Sequence, residues 1–239
     1  VYMIHSHPTL EQLTEFASGT LPLSVSLGLS GHLEYCPDCT AQVHKLQSVG
    51  ASIMEQVTVP QSSDDDMSRL LAGIANRIDR SDESSAGNAT VEVAAVTDIN
   101  INSSTSGYRL PKVLRQFVET DYNELNWVRL SPAFKIATLL KDTDGTQVAL
   151  SRVKAGGAMP HHKHSGDEMT LVLEGSFSDE SGVFTPGDFI MRDSRHKHHP
   201  IVTMDGECIC LMVLDGPVQF TGTFTRWLNP LMRWQHSGI

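Results

Sequence analysis

Three residues in the first fifth of the chain have the types and the spacing of zinc ligands. His32, Cys36 and Cys39 form the pattern His-x3-Cys-x2-Cys. Residues four apart lie on the same side of a helix, so His32 and Cys36 can converge, and Cys39 follows just across a turn. Thiolates and imidazole are ligands that tetrahedral Zn²⁺ prefers, and a structural zinc site needs a fourth ligand. The upstream candidates for that ligand are His5 and His7.

The cysteine pair has a second interpretation as a redox pair. A redox Cys-x2-Cys motif normally begins a helix beside a parallel sheet, and no strand–helix–strand pattern surrounds Cys36 and Cys39. His32 could also be an ordinary core histidine, but its spacing from Cys36 would then be a coincidence. We therefore interpret the group as a zinc site with a structural role.

A second group of metal-ligand types lies further along the chain. His162, His164 and Glu168 form the pattern His-x-His-x3-Glu. The two histidines would point to one face of an extended chain, and Glu168 can return to that face after a bend. A histidine of the cluster at residues 195–199 could add one more imidazole. These ligands suit zinc, iron, manganese or nickel, so they indicate a metal site without identifying the metal.

Cys208 and Cys210 occupy one face of a predicted strand. The Cα atoms of such neighbours lie about 6.5 Å apart, close to the upper limit for a disulfide, so a bridge would be strained. Two small buried apolar residues are the simpler interpretation. If their face lines the metal cavity, the two thiols become candidates for an oxidation sensor.

The first half of the sequence predicts four helices that would position the first group. A capping-box pattern at Thr9 and Gln12 begins the first helix, and Gly19 would end it. Further helices are predicted over residues 23–35 and 38–57. A fourth follows the acidic run at residues 62–66. Its apolar stripe, which could be core or a partner-binding face, consists of Met67, Leu70, Leu71, Ile74 and Ile78.

The second half predicts short strands separated by turns, as in a sandwich or small barrel. The longest apolar run, residues 208–214, fits a buried strand. Residues 81–107 contain no Lys or Arg and are rich in Ser, Asn, Thr and Ala, which predicts a flexible linker. The predicted organisation is α+β: a helical domain over residues 1–85, a linker over 86–107 and an all-β domain over 108–239.

The charge of the chain narrows the possible partners. The sequence has 18 Lys and Arg against 28 Asp and Glu, a formal net charge of −10. An acidic surface repels phosphate backbones, which disfavours direct binding to nucleic acid and favours a basic protein partner. No window approaches the roughly 20 apolar residues that cross a bilayer. Four cysteines do not make a disulfide framework, so we expect a cytoplasmic protein.

The two ligand groups, in this order, resemble the ChrR-type zinc-dependent anti-sigma factors. Members of that family carry an N-terminal zinc-binding anti-sigma domain followed by a cupin, a double-stranded β-helix or jelly-roll barrel. The anti-sigma signature matches at His32, Cys36 and Cys39. The family places a further histidine shortly before a Leu-x-x-Tyr/Phe-Ala-x-Gly pattern, and this position falls on His7, with His5 as the alternative.

The cupin signature of the family matches the second group, and its fourth ligand comes from a later motif. Family spacing selects His198 over His196 and His199, although this chain has Asp193-Ser194-Arg195 where many cupins have Pro-x-Gly. The metal ligands that the resemblance implies are His7, His32, Cys36 and Cys39 in the helical domain and His162, His164, Glu168 and His198 in the cupin. It implies structural zinc in the first site and zinc or another divalent metal in the second.

The resemblance implies a regulator rather than an enzyme. Family members hold an extracytoplasmic-function sigma factor away from RNA polymerase and release it when the cupin senses oxidative stress, such as singlet oxygen or an organic hydroperoxide. An alternative is a cupin dioxygenase that holds iron with three histidines and a glutamate and carries the helices as a regulatory appendage. A third is a zinc-dependent module that binds another protein.

Overall fold

A computed structural model describes residues 3–57, 64–84, 108–118, 121–142, 145–159, 162–164, 166–195, 197–216 and 218–220. The chain divides into two compact units, one of Val1–Gly50 with Ser103–Ile239 and the other of Ala51–Asn102. The predicted linker at residues 86–107 lies outside the described residues, and the predicted domain boundaries stay a prediction. Among the described helices, none combines the length and the apolar character needed to span a bilayer.

Four α-helices occupy the first part of the chain. They are α1 (Leu10–Ser18), α2 (Leu23–Leu33), α3 (Pro37–Glu55) and α4 (Asp64–Ser84). The capping box predicted for α1 is confirmed, since the Thr9 and Gln12 side chains each accept a hydrogen bond from the backbone of the other. Gly19 ends the helix in the left-handed conformation that favours glycine. Local sequence signals therefore determine this helix.

The rest of the described chain is built from short antiparallel strands. They are β1 (Val128–Arg129), β2 (Phe134–Lys141), β3 (Gln147–Val153), β4 (His162–His164), β5 (Glu168–Glu174), β6 (Phe177–Asp179), β7 (Gly182–Phe184), β8 (Phe189–Arg192), β9 (Lys197–His198), β10 (Ile201–Val202), β11 (Cys208–Leu214) and β12 (Val218–Phe220). The sheets have the orders β1-β2-β3-β11-β5-β8, β10-β6-β7 and β12-β4-β9. Helices followed by antiparallel sheets confirm the predicted α+β class.

Strand β11 shows why both faces of the large sheet are apolar. Every residue of Cys208–Leu214 is buried, which confirms the strand predicted from the apolar run. Ile209, Leu211 and Val213 join a core shared with α1, α2 and α3. Cys208 and Cys210 alternate with them and join a second core inside the barrel. A strand covered on both faces needs no polar alternation.

Helix α2 packs directly on the outer face of this sheet, against β5, β8 and β11. Two glycines permit the close approach. A Cβ at Gly28 would lie 1.9 Å from the Met169 terminal methyl carbon, and one at Gly31 would lie 2.7 Å from a Leu171 methyl carbon. Both side chains belong to β5 and are buried in the shared core. The end of α2 is held by the segment before β1, since the Lys112 backbone N–H donates to the Glu34 carboxylate at 2.6 Å.

Replacing Gly28 with valine should therefore lower the free energy of unfolding by about 1–3 kcal/mol, because the added side chain overpacks the contact with Met169. The measurement is urea unfolding of the metal-loaded chain. Gly50→Ala is the matched control. A Cβ at Gly50 meets nothing within 4 Å, so this exposed helical change should raise stability by about 0.5–1 kcal/mol. Equal effects of the two substitutions would contradict the close packing of α2.

Candidate metal centres

Four potential ligands meet where the first three helices come together. His7 precedes α1, His32 lies near the end of α2, Cys36 follows α2, and Cys39 lies in the first turn of α3. One ligand atom from each residue lies within 4.8 Å of the others. The His7 Nδ1 atom is 3.4 Å from the Cys36 Sγ atom and 3.5 Å from the Cys39 Sγ atom. The structure thus brings together the four residues that the family resemblance implied for the first site.

His5, the alternative fourth ligand, has a different place. Its backbone N–H donates to the Asp188 carboxylate at 2.7 Å, and its side chain is not part of the group. The neighbouring Ser6 N–H donates to the same oxygen, also at 2.7 Å. These two bonds fix the backbone of the segment just before His7. Between the two candidates, the structure therefore places His7 in the site.

His32 is oriented by a backbone carbonyl of the β domain. Its side chain is fully buried, and its Nδ1 atom is 2.6 Å from the Gly187 carbonyl oxygen. A carbonyl only accepts, so Nδ1 carries the proton and Nε2 keeps its lone pair. Nε2 is buried and makes no hydrogen bond within the described part of the chain. An imidazole held by its second nitrogen in this way is the usual arrangement of a metal-binding histidine.

The electrostatics of this site disfavour charged ligands when no cation is present. Burial lowers the pKa of His32, although the hydrogen bond with Gly187 opposes the shift. Burial, together with the neighbouring Cys36, raises the pKa of Cys39 to about 12. A divalent cation would reverse this preference by displacing the thiol protons and stabilising the thiolates. Two thiolates and two imidazoles form a complete tetrahedral set, which is typical of structural zinc.

The second group is carried by β4, β5 and β9. The ligand atoms of His162, Glu168 and His198 lie within 4.8 Å of one another, and all three residues are buried. His162 and His198 face each other across paired strands β4 and β9, and their Nε2 atoms are 2.9 Å apart. The His198 Nε2 atom is 4.0 Å from a Glu168 carboxylate oxygen. These donor atoms converge on one point, as a divalent metal requires.

The remaining histidines of the prediction are only partly described. His164 lies on β4, two residues from His162, but its side chain lies outside the described residues. The same holds for the whole of His196. The backbone N–H of His199 donates to the Glu180 carboxylate at 3.3 Å, and His199 is not in the group. Of the two described candidates near residue 198, the structure brings His198 to the site.

Two acidic residues near the sites have roles that the sequence did not reveal. Asp179 accepts a hydrogen bond from Arg192 at 2.5 Å, and the same oxygen is 3.4 Å from the His198 Nδ1 atom. Asp188 accepts the two amides that precede His7. Each carboxylate therefore orients a candidate ligand rather than binding a metal itself. Spacing carried no signal for either role, because the partners lie on distant elements.

A mainly apolar cavity adjoins the second group. It is lined by the three ligands and by side chains that include Met159, Phe177, Cys208, Cys210 and Met212. The Cys208 and Cys210 Sγ atoms are 3.6 Å apart. The hydrogen bond with Cys208, followed by burial, raises the pKa of the Cys210 thiol. The sequence analysis made Cys208 and Cys210 candidates for an oxidation sensor only if their face lines the metal cavity. Both cysteines do line the cavity, beside the candidate metal ligands.

Comparison with known proteins covers both parts of the chain. Residues 115–219 match the family described as the ChrR Cupin-like domain. The anti-sigma-E factor ChrR of Cereibacter sphaeroides is 29% identical over 231 residues, which cover 96% of this chain and 99% of that protein. The crystal structure of Rhodobacter sphaeroides SigE in complex with the anti-sigma ChrR is similar with a TM-score of 0.67 and 26% identity, over 89% of this chain and 99% of that one. The chain is therefore similar to ChrR over nearly its whole length, and the family match lies within its β domain.

Proposed function

We propose that this protein is a zinc-dependent anti-sigma factor that binds an extracytoplasmic-function sigma factor and keeps it from RNA polymerase. The observation that carries the proposal is the extent of the similarity. A relative named as an anti-sigma-E factor matches 96% of the chain, and a similar ChrR chain has been solved in complex with SigE. A match that includes both the helices and the cupin supports a shared function better than a shared cupin alone would.

Exposed apolar side chains on the helices supply a surface for such a partner. On α4, Leu70 and Leu71 are 61% and 60% exposed, and Met67 and Ile74 share their face. The side chain of Ile78 lies outside the described residues. On α3, Ile53 and Met54 are also exposed. Amphipathic helices with an uncovered apolar stripe commonly dock into grooves of a partner protein. The net charge of −10 would aid encounter with a basic DNA-binding partner.

Zinc at His7, His32, Cys36 and Cys39 would hold the first three helices in the arrangement that presents α3. The cupin centre, with His164 as the predicted fourth ligand, would bind zinc or another divalent metal. That centre and the two thiols beside it would form the part that responds to an oxidant. Oxidation in the cavity would change the cupin, and release of the sigma factor from the helices would follow. No catalytic turnover is part of this function.

Substitution on α4 tests the docking surface. Leu71→Glu should weaken binding of the sigma factor by about 30-fold or more, because it places a charge in the apolar stripe. Asn76→Glu adds the same charge on the opposite side of α4 and should leave affinity within about twofold. Calorimetric titration with the extracytoplasmic-function sigma factor of the same genome measures both variants. Wild-type affinity in Leu71→Glu, with helix content unchanged, would remove α4 from the proposed surface.

Removal of single ligands tests the two metals separately. The wild-type chain should contain two metal ions by elemental analysis, and Cys39→Ser should lose the ion of the first site together with sigma binding. Glu168→Gln should lose only the cupin metal and should keep sigma binding, but the complex should no longer dissociate when an organic hydroperoxide is added.

Cys208→Ser is the matched control for Cys39→Ser, because it replaces another buried cysteine with the same residue. This variant should retain both metal ions and bind the sigma factor normally. A metal-free chain that binds the sigma factor as tightly as the wild type would refute zinc dependence. Oxygen uptake with turnover of a substrate would favour the dioxygenase alternative.

A further inference from the structure

The turn between β7 and β8 belongs to the cupin domain, yet it contacts two ligands of the first metal centre. The Gly187 carbonyl accepts from His32, and the Asp188 carboxylate accepts from the backbone that leads into His7. The Phe189 N–H adds a hydrogen bond to the Ser6 carbonyl at 2.9 Å. Hydrogen bonds of this kind around the ligands typically change metal affinity by 10- to 100-fold, roughly.

The turn has little freedom to move away from these contacts. Gly187 has a φ of 99°, and a Cβ there would lie 2.8 Å from both the Tyr35 Cβ and the Ile4 Cδ1 atoms. The second oxygen of Asp188 accepts from the Thr185 N–H at 2.7 Å, which closes the turn on itself. The side chain that clamps the segment before His7 is thus itself fixed within the cupin.

The other end of β8 reaches the second metal centre. Arg192, the last residue of the strand, pairs with Asp179 at 2.5 Å, and Asp179 is in contact with His198. Along its length, β8 pairs with β5, which begins with Glu168 opposite Arg192. A four-residue strand that is paired along one edge and buried at both ends transmits displacement rather than absorbing it.

We propose that strand β8 couples the two metal centres, so that metal binding at the cupin centre raises the metal affinity of the first centre through Asp188. A metal at the cupin centre would fix His198 and Glu168, and with them Asp179, Arg192 and the strand. The turn would then hold His32 and His7 in their binding positions. Such a coupling is reciprocal, because each ion changes the affinity of the other by the same factor. The proposal rests on the metal centres of the proposed function and not on sigma binding.

Cobalt provides a signal for the first centre alone. In the full-length chain with Cys208→Ser and Cys210→Ser, Cys36 and Cys39 are the remaining thiols. A Co²⁺–thiolate charge-transfer band then reports only the first site, and titration against a competing chelator gives its affinity. In this background, Glu168→Gln should weaken Co²⁺ binding at the first site by about fivefold or more, although Glu168 does not touch that site.

Substitutions at the turn test the path of the coupling. Asp188→Ala should weaken Co²⁺ binding at the first site by about tenfold, and Asp188→Asn, which keeps one acceptor oxygen, should have a smaller effect. Val183→Ala is the control, because it shortens an exposed side chain of β7 just before the turn and leaves every hydrogen bond of Asp188 in place. It should keep wild-type affinity. In the Asp188→Ala chain, adding Glu168→Gln should cause no further loss.

The outcomes separate the coupling from the metal centres themselves. A thiolate band that appears normally but is unchanged by Glu168→Gln would overturn the coupling and leave both centres intact. Equal loss in Val183→Ala and Asp188→Ala would also overturn it, because the effect would then come from general loosening of β7 and the turn. Suppose that no Co²⁺–thiolate band appears in the background chain, which keeps Cys36 and Cys39. This result would refute the first metal centre, and the coupling with it.

Discussion

The buried ring of His32 makes the contact that links the first three helices to the cupin within one compact unit. The ring lies where α2 meets the start of β8, and both of its nitrogen atoms are removed from water. A buried polar atom without a partner costs about 1–3 kcal/mol, so each nitrogen needs one. The Gly187 carbonyl satisfies Nδ1, and a metal at the four-ligand group would satisfy Nε2. One side chain therefore joins the cupin backbone to the proposed zinc ion.

The position of α2 against the sheet also explains its mainly apolar composition. A helix that is apolar on nearly all sides has to be covered on nearly all sides. The sheet covers one side of α2 through the close approach at Gly28 and Gly31, and the neighbouring helices cover much of the rest. A segment of about fifty residues buries little of its surface, so a core of its own would be marginal. The cupin surface adds to that core, and a metal at the four-ligand group would add a further constraint.

The cupin cavity combines two features that suit the proposed response to an oxidant. Its walls are mainly apolar, so a small apolar oxidant such as singlet oxygen could enter at little cost in lost hydration. Beside the metal ligands it also presents two thiols that are close to each other. The hydrogen bond with Cys208, followed by burial, raises the pKa of the Cys210 thiol, which favours its protonated and less nucleophilic form. The cavity is also lined by Glu168 and Thr170 of β5, the strand that pairs with β8.

The sequence by itself determined those features that depend on neighbours along the chain. The capping box defined the start of α1, and the apolar run defined β11. Ligand spacing found His32, Cys36 and Cys39 in the first group and His162 and Glu168 in the second, while the family resemblance selected His7 and His198. The tertiary structure decided the contacts between distant residues: that His7 and not His5 joins the first group, that α2 packs on the sheet, and that Asp179 and Asp188 orient ligands. Asp188 lies more than 180 residues from the amides that it binds. Periodicity and spacing report which side chains share a face of one element, whereas the meeting of two elements is set by how their faces pack in the folded chain.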